Sequence, residues 1–116
     1  MHVETRKSGE VVILDLKGRL TAGLGDQIVR ESIDELLAEG WKRILLNLSE
    51  VTFLDSAGLG ELVAGLKTCK RFGAEMKLLN VAGRVQSALY MSRLLPVFEI
   101  YDTETEALAH FGAGKV

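Results

Sequence analysis

Cysteine is nearly absent from this chain of 116 residues, because Cys69 is the only one. A lone cysteine excludes an internal disulfide and a zinc site built from several thiolates, and it favours a reducing compartment. The two histidines, His2 and His110, stand near opposite ends of the chain without a neighbouring nucleophile or a metal-spaced partner. The motifs of zinc hydrolases, serine hydrolases and phosphate-binding loops are missing as well. We therefore expect no enzymatic activity, no metal and no cofactor.

Long apolar runs and an excess of one charge are also missing. No run reaches the ~18 residues of a membrane-spanning helix, and the first residues carry no apolar segment of a signal peptide. The formal net charge is -2, whereas capture of nucleic acid or anionic membranes needs a basic stripe. These absences predict a cytoplasmic protein without membrane insertion or direct nucleic-acid binding.

What is present describes an ordinary globular domain. The chain is 47% hydrophobic and 26% charged, with 12 glycines and a single proline. Its length fits one domain of roughly 100–200 residues. We predict one domain over residues 1–111, followed by a flexible tail over residues 112–116. Cys69 and Trp41 are expected to pack against the core, the tryptophan at one end of the sheet.

Hydrophobic periodicity predicts nine elements in the order ββαβαβαβα. The predicted strands span residues 3–7, 11–16, 44–48, 76–81 and 97–101, and the predicted helices span residues 27–39, 56–73, 85–89 and 103–111. Asp26 is the expected N-cap of the first helix, and Ser49 and Glu50 are expected in a loop after the third strand. Strands separated by helices require crossover connections, so the predicted fold is α/β with a mixed, mostly parallel sheet.

The most informative stretch is the start of the second helix, where Asp55 and Ser56 stand side by side. Aspartate and serine are both preferred N-caps, and a cap stabilises a helix by about 1 kcal/mol. Capping alone would explain the pair. A phosphoryl group on Ser56 is the alternative, because it would add about -1.5 to -2 charges at a helix end that favours anions.

The outward face of the same helix is unusual. Its apolar stripe turns small or polar residues outward, namely Ala57, Glu61, Ala64 and Thr68, with Gly60 and Gly65 on the flanks. Each glycine inside a helix gives up about 1 kcal/mol relative to alanine. A smooth face of this kind suits close docking of another protein. Close packing inside the fold is the equal alternative.

The run from Leu45 to Gly60 resembles the signature of STAS domains, above all the bacterial anti-sigma factor antagonists. The resemblance extends to residues 18–21 and covers nearly the whole chain. It implies that Ser56 is phosphorylated by an anti-sigma factor, a serine kinase of the histidine-kinase-like ATPase type. The unphosphorylated antagonist would bind that kinase and release the sigma factor, and a serine phosphatase would reset the cycle.

The resemblance also implies a docking surface formed by the loop before the first helix, the turn at Ser56 and the outer face of the second helix. Its expected residues are Thr21, Asp55, Ser56, Ala57, Gly58, Leu59, Gly60, Glu61 and Ala64. Two alternatives stay open from the sequence. One is an accessory STAS subunit of a membrane transport complex, such as a lipid ABC exporter, that binds its ATPase without phosphorylation switching. The other is a nucleotide-binding or hydrolytic protein.

Three positions depart from the family pattern. Many members carry aspartate where Thr21 and Asn47 stand, and their loop is longer and more polar where this chain has Gly23 and Gly25. We expect less negative charge near Ser56 as a result, and a changed choice of kinase.

Overall fold

The computed structural model describes residues 1–81, 83–93 and 95–111, so the tail predicted for residues 112–116 lies outside the described residues. The described part contains five strands, four α-helices and one short 3-10 helix. In chain order they are β1 (His2–Ser8), β2 (Val11–Leu20), α1 (Leu24–Ala38), β3 (Arg43–Leu54), α2 (Ser56–Arg71), β4 (Glu75–Leu79), α3 (Gly83–Met91), the 3-10 helix (Leu95–Val97), β5 (Ile100–Tyr101) and α4 (Glu104–His110). The predicted element order and the predicted α/β class are confirmed.

The strands form one mixed sheet in the order β1-β2-β3-β4-β5. β1 and β2 are an antiparallel hairpin that pairs Ser8 with Val11 around a two-residue turn. Gly9 has a φ of 59° in this turn, a conformation that glycine adopts without steric cost. The other strands pair in parallel, as crossover connections through helices require.

The sheet buries apolar side chains on both faces. One face packs against α1, α2 and α3 through buried residues such as Val29, Leu62 and Leu89. The opposite face packs against Ala107 and Phe111 at the C-terminal end of the chain. A central strand covered on both sides needs a nearly continuous apolar run, which explains the segment 44–48 within β3.

The first helix begins earlier than predicted. Asp26 lies inside α1 and donates its backbone N–H to the carbonyl oxygen of Thr21 at 3.1 Å, whereas Gly23 is the N-cap and offers no side chain. The first turn of this helix lies close to the end of β2. A Cβ on Gly25 would lie 2.9 Å from the carbonyl oxygen of Arg19, so a glycine is required inside the first turn.

Three strands also differ from the predictions by three or more residues. β2 continues to Leu20, past its predicted end at residue 16. β3 continues through Ser49 and Glu50, which were expected in a loop, because it keeps pairing with β2 beyond a shift in register. The last strand is reduced to Ile100–Tyr101 and follows the 3-10 helix that contains Pro96.

Both core predictions for single residues are confirmed. Cys69 is fully buried, and burial raises the pKa of its thiol to about 11. Trp41 is half-buried against the core, with the Lys7 ammonium 5.5 Å from the centre of its ring. In the described part of the chain, no helix combines the length and the apolar character needed to cross a lipid bilayer.

Candidate functional site

Asp55 follows β3 and is the N-cap of α2. Its Oδ1 accepts a hydrogen bond from the backbone N–H of Gly58 at 2.8 Å, and its Oδ2 accepts one from the N–H of Ala22 at 3.0 Å. These bonds, first the one from Gly58, hold the pKa of the Asp55 carboxyl below its usual range. The ionised carboxylate therefore joins the start of α2 to the loop after β2. Of the two residues expected to cap, Asp55 does so.

Ser56 is the first residue of α2 and is exposed to solvent. Within the described residues, no backbone or side-chain group is hydrogen-bonded to its hydroxyl. The hydroxyl is therefore not used for capping and is accessible to another protein. The first four backbone N–H groups of a helix have no helical acceptor, and they favour an anion at this end.

Gly58 is buried, although the sequence predicts it on the docking surface. A Cβ at this position would overlap the carbonyl oxygen of Leu20 at the end of β2. Gly58 therefore allows α2 to start directly against the sheet, and its role is internal packing. Gly65 is also buried. A Cβ at this position would lie 2.9 Å from Cδ1 of Ile33, which shows how closely α1 approaches α2 here. The packing alternative is therefore correct for Gly65, and the docking assignment of Gly58 was wrong.

Glu61 is buried as well, with 5% of its surface exposed, and so it does not belong to the outward face. Its carboxylate accepts two hydrogen bonds from the guanidinium of Arg30 on α1, at 3.1 Å and 2.6 Å. Glu61 faces outward only if the sheet is taken as the one surface that α2 packs against. α1 covers a second side of α2, and this contact buries Glu61. The pairing with Arg30 was not predicted. The only sequence signal for it is weak: a carboxylate on a side of α2 that a neighbouring helix covers needs a cation as its partner.

The exposed face of α2 consists of Ser56, Gly60 and Ala64, spaced by one helical turn, and Lys67 follows. We call Ser56, Gly60 and Ala64 the small-residue face. A Cβ added to Gly60 would meet no atom within 4 Å, and its backbone is not left-handed. The fold therefore does not require glycine at this position, in contrast to Gly58.

The other predicted residues of α2 flank the small-residue face. Ala57 and Thr68 are half-buried, and Leu59 is half-buried against the core. Ala57 and Leu59 lie at the edges of the predicted docking surface. The fully exposed part of that surface is therefore smaller than predicted.

Thr21 is half-buried in the loop between β2 and α1. The loop lies next to the start of α2, because Asp55 binds the N–H of Ala22. Nearby, the Arg19 guanidinium stacks on the ring of Phe53 at 4.6 Å from its centre. No sequence signal pointed to this pair, because only the register of the paired strands brings the two residues together. The predicted juxtaposition of the loop and the turn at Ser56 is present in the structure.

Asn47 belongs to a different part of the molecule. Its Nδ2 donates to Oδ1 of Asp15 at 2.8 Å, and the same carboxylate binds the guanidinium of Arg6. Asp15 is aligned with Asn47 in the paired strands. Asparagine in place of aspartate therefore removes a repulsion with Asp15. The expected reduction of negative charge at Ser56 does not follow from Asn47.

Comparison with known proteins identifies a family. Residues 2–107 match the family model of the STAS domain. The anti-sigma F factor antagonist of Paenibacillus polymyxa is 30% identical over 108 residues, which are 93% of this chain and 92% of that protein. A crystal structure of a Thermotoga maritima protein described as an anti-sigma factor antagonist is 28% identical, with a TM-score of 0.80 and coverage of 92% of both chains.

More distant structures share the fold. The anti-sigma factor antagonist SpoIIAA in its unphosphorylated form is 23% identical, with a TM-score of 0.80 and 97% coverage of both chains. The phosphorylated form from Bacillus has a TM-score of 0.72 at 22% identity, covering 95% of this chain and 99% of that one. A sulfate transporter family protein from Wolinella succinogenes has a TM-score of 0.77 at 22% identity, covering 89% and 85%. The chain therefore belongs to the STAS domain family, where it groups with the bacterial anti-sigma factor antagonists.

Proposed function

We propose that this protein is a non-enzymatic anti-sigma factor antagonist, controlled by phosphorylation of Ser56. The observation that carries the proposal is the position of the Ser56 hydroxyl. It is exposed and unbonded at the start of α2, at one end of the small-residue face. A partner that covers Gly60 and Ala64 would therefore contact Ser56 as well.

Unphosphorylated, the surface allows a partner to approach the helix backbone closely. Gly60 gives up about 1 kcal/mol of helix stability relative to alanine, and no contact within the fold requires it. Docking of a partner against this position is a reason for the glycine. The expected docking residues are Thr21, Asp55, Ser56, Ala57, Leu59, Gly60 and Ala64; Gly58 and Glu61 support the surface from inside.

Phosphorylated, the same surface repels the partner by its charge. The dianion would stand beside the carboxylate of Asp55, whose pKa is already below its usual range. Arg30, the cation that α1 presents to α2, is already bound to Glu61. Arg30 is therefore not free to neutralise the added charge, which faces the partner, while the helix N-terminus tolerates it and the fold persists.

The proposed partners follow from the family resemblance. One is an anti-sigma factor that is a serine kinase of the histidine-kinase-like ATPase type, and the other is a serine phosphatase. Two backbone N–H groups bind the Asp55 carboxylate and lower its pKa, which makes it a weak base, so we expect the kinase to supply the base that removes the hydroxyl proton. By regulating a sigma factor in the cytoplasm, this protein would control transcription without touching nucleic acid.

The test uses the cognate anti-sigma kinase, which we would seek first among the products of neighbouring genes. We expect the kinase with ATP to add one phosphate, which mass spectrometry locates on Ser56, and we expect the Ser56→Ala variant to stay unmodified. In a pull-down, wild type and Ser56→Ala should retain the kinase. Ser56→Asp should bind at least about tenfold more weakly, because a like charge or a desolvated carboxylate in an interface costs several kcal/mol. Phosphate uptake by Ser56→Ala contradicts the proposal.

The transport alternative makes the opposite prediction. An accessory subunit would bind its ATPase equally well as wild type and as Ser56→Asp, and permease genes would flank its gene. The structural likeness to a sulfate transporter family protein is a likeness of fold. The Ser56→Asp comparison therefore separates the two functions in one experiment.

A further inference from the structure

The outer edge of β1 has no partner strand in the described structure, where β1 ends the sheet order. Residues 4–8 of this strand are exposed. The unpaired N–H and C=O groups of an edge strand are a template for pairing with another chain. This edge belongs to the hairpin, and none of the proposed docking residues lies on it. Pairing at this edge is therefore independent of the proposed function.

The hairpin register determines which residues offer these groups. In a two-residue hairpin, the closing pair, here Ser8 and Val11, exchanges hydrogen bonds, and hydrogen-bonded pairs then alternate along the ladder. The backbone groups of Val3, Thr5 and Lys7 therefore point away from β2. An incoming antiparallel strand can bind all three residues.

We propose that a second copy of this chain pairs with β1 in antiparallel fashion, about a twofold axis at Thr5. Glu4 then lies opposite Arg6 of the second copy, and symmetry repeats the pair, as in other isologous interfaces. These are non-hydrogen-bonded positions, where opposed side chains come closest. Opposite charges at such positions stabilise strand pairing.

The neighbouring twofold registers are disfavoured by charge. A shift of the axis to Glu4 opposes Glu4 to itself, and a shift to Arg6 opposes Arg6 to itself. Like charges directly opposite one another destabilise a strand pair. Charge therefore favours the axis at Thr5 over both of these registers.

The existing ion pairs leave room for the new ones. Arg6 is 43% exposed while it binds Asp15 and Glu104. Glu4 is 52% exposed, and its contacts, with His2 at 3.2 Å and with Lys17 at 3.6 Å, are both between exposed side chains. Glu4 can thus turn toward Arg6 of the second copy, while Asp15 keeps the guanidinium aligned with the strand.

The first test measures the mass of the full chain by light scattering at increasing concentration. We expect the mass of two chains for wild type and of one chain for Thr5→Pro, whose missing N–H lies on the outer edge and leaves the hairpin ladder intact. Glu4→Arg should raise the dissociation constant about tenfold, since it places arginine opposite arginine at both symmetry-related positions. Glu10→Arg is the control. This substitution makes the same change of charge, but in the turn rather than opposite the second copy, so it should leave the mass unchanged. A monomer at all concentrations overturns the proposal.

The second test fixes the register by cross-linking. Hydrogen-bonded antiparallel partners have Cα atoms about 5.5 Å apart, which suits a disulfide. Thr5→Cys should form a disulfide-linked dimer on mild oxidation, whereas wild type should not, because Cys69 is buried. Val3→Cys alone should not cross-link, but Val3→Cys mixed with Lys7→Cys should. Cross-linking of Val3→Cys with itself, or none with Thr5→Cys, contradicts the register.

Discussion

The carboxylate of Asp55 accepts the backbone N–H of Ala22 at 3.0 Å, across 33 positions of sequence. The same carboxylate caps α2 through the N–H of Gly58. One side chain therefore fixes the start of the helix that presents Ser56 and the loop that lies beside it. The two parts of the proposed docking surface are held together by this residue.

Replacing Asp55 by asparagine should separate these two parts. Asparagine has a single acceptor oxygen, so it can keep one of the two backbone hydrogen bonds and loses the other. We expect a lower midpoint of thermal unfolding and weaker binding of the anti-sigma factor, both measured against wild type. Asp55→Ala should lower the midpoint further, because both bonds are lost. An Asp55→Asn variant with unchanged binding would show that the loop takes no part in docking.

Stability should fall in acid, and Asp15 should contribute to the fall. The guanidinium of Arg6 and then the amide of Asn47 lower the pKa of the Asp15 carboxyl. A carboxyl with a lowered pKa in the folded state stabilises the protein above its unfolded value, about 3.9, and this contribution disappears as the pH falls through the folded pKa. We expect the urea midpoint to drop below about pH 4. In Asp15→Asn, the midpoint should be lower at pH 7 and should change less with acid.

Asn47→Asp tests whether this position affects the Ser56 site. The substitution removes the hydrogen bond to Asp15. It also places two carboxylates opposite one another on the paired strands β2 and β3. We expect a loss of about 1–2 kcal/mol in the free energy of unfolding. The rate of Ser56 phosphorylation should equal that of wild type, because Asn47 contacts Asp15 rather than α2. A changed rate at equal stability would contradict this placement.

Periodicity predicted the order and type of the elements because the apolar residues of each follow one spacing. The errors arose where a second element intervened. Glu61 looks exposed on a helical wheel against the sheet, but the contact with α1 and Arg30 buries it. Ser49 and Glu50 look like a loop, yet pairing with β2 keeps them in β3.

The residues of the site were predictable to a similar degree. Asp55 and Ser56 could be found from the preference of a helix start for such side chains, and the family resemblance pointed to Ser56 as the proposed phosphoacceptor. The part played by Ala22 could not be found, because its backbone N–H binds Asp55 and any residue except proline would supply it. Likewise, the sequence alone could not distinguish a packing glycine from a surface glycine.

The two glycines Gly58 and Gly60 should respond to alanine in opposite ways. Gly60→Ala fills open space, so it should raise the free energy of unfolding by about 1 kcal/mol while it weakens binding of the anti-sigma factor. Gly58→Ala forces a Cβ onto the carbonyl oxygen of Leu20, so it should lower the free energy of unfolding by about 1–3 kcal/mol. Chemical denaturation and calorimetric titration measure both effects. A Gly60→Ala variant that is more stable and binds as tightly as wild type would remove Gly60 from the docking surface.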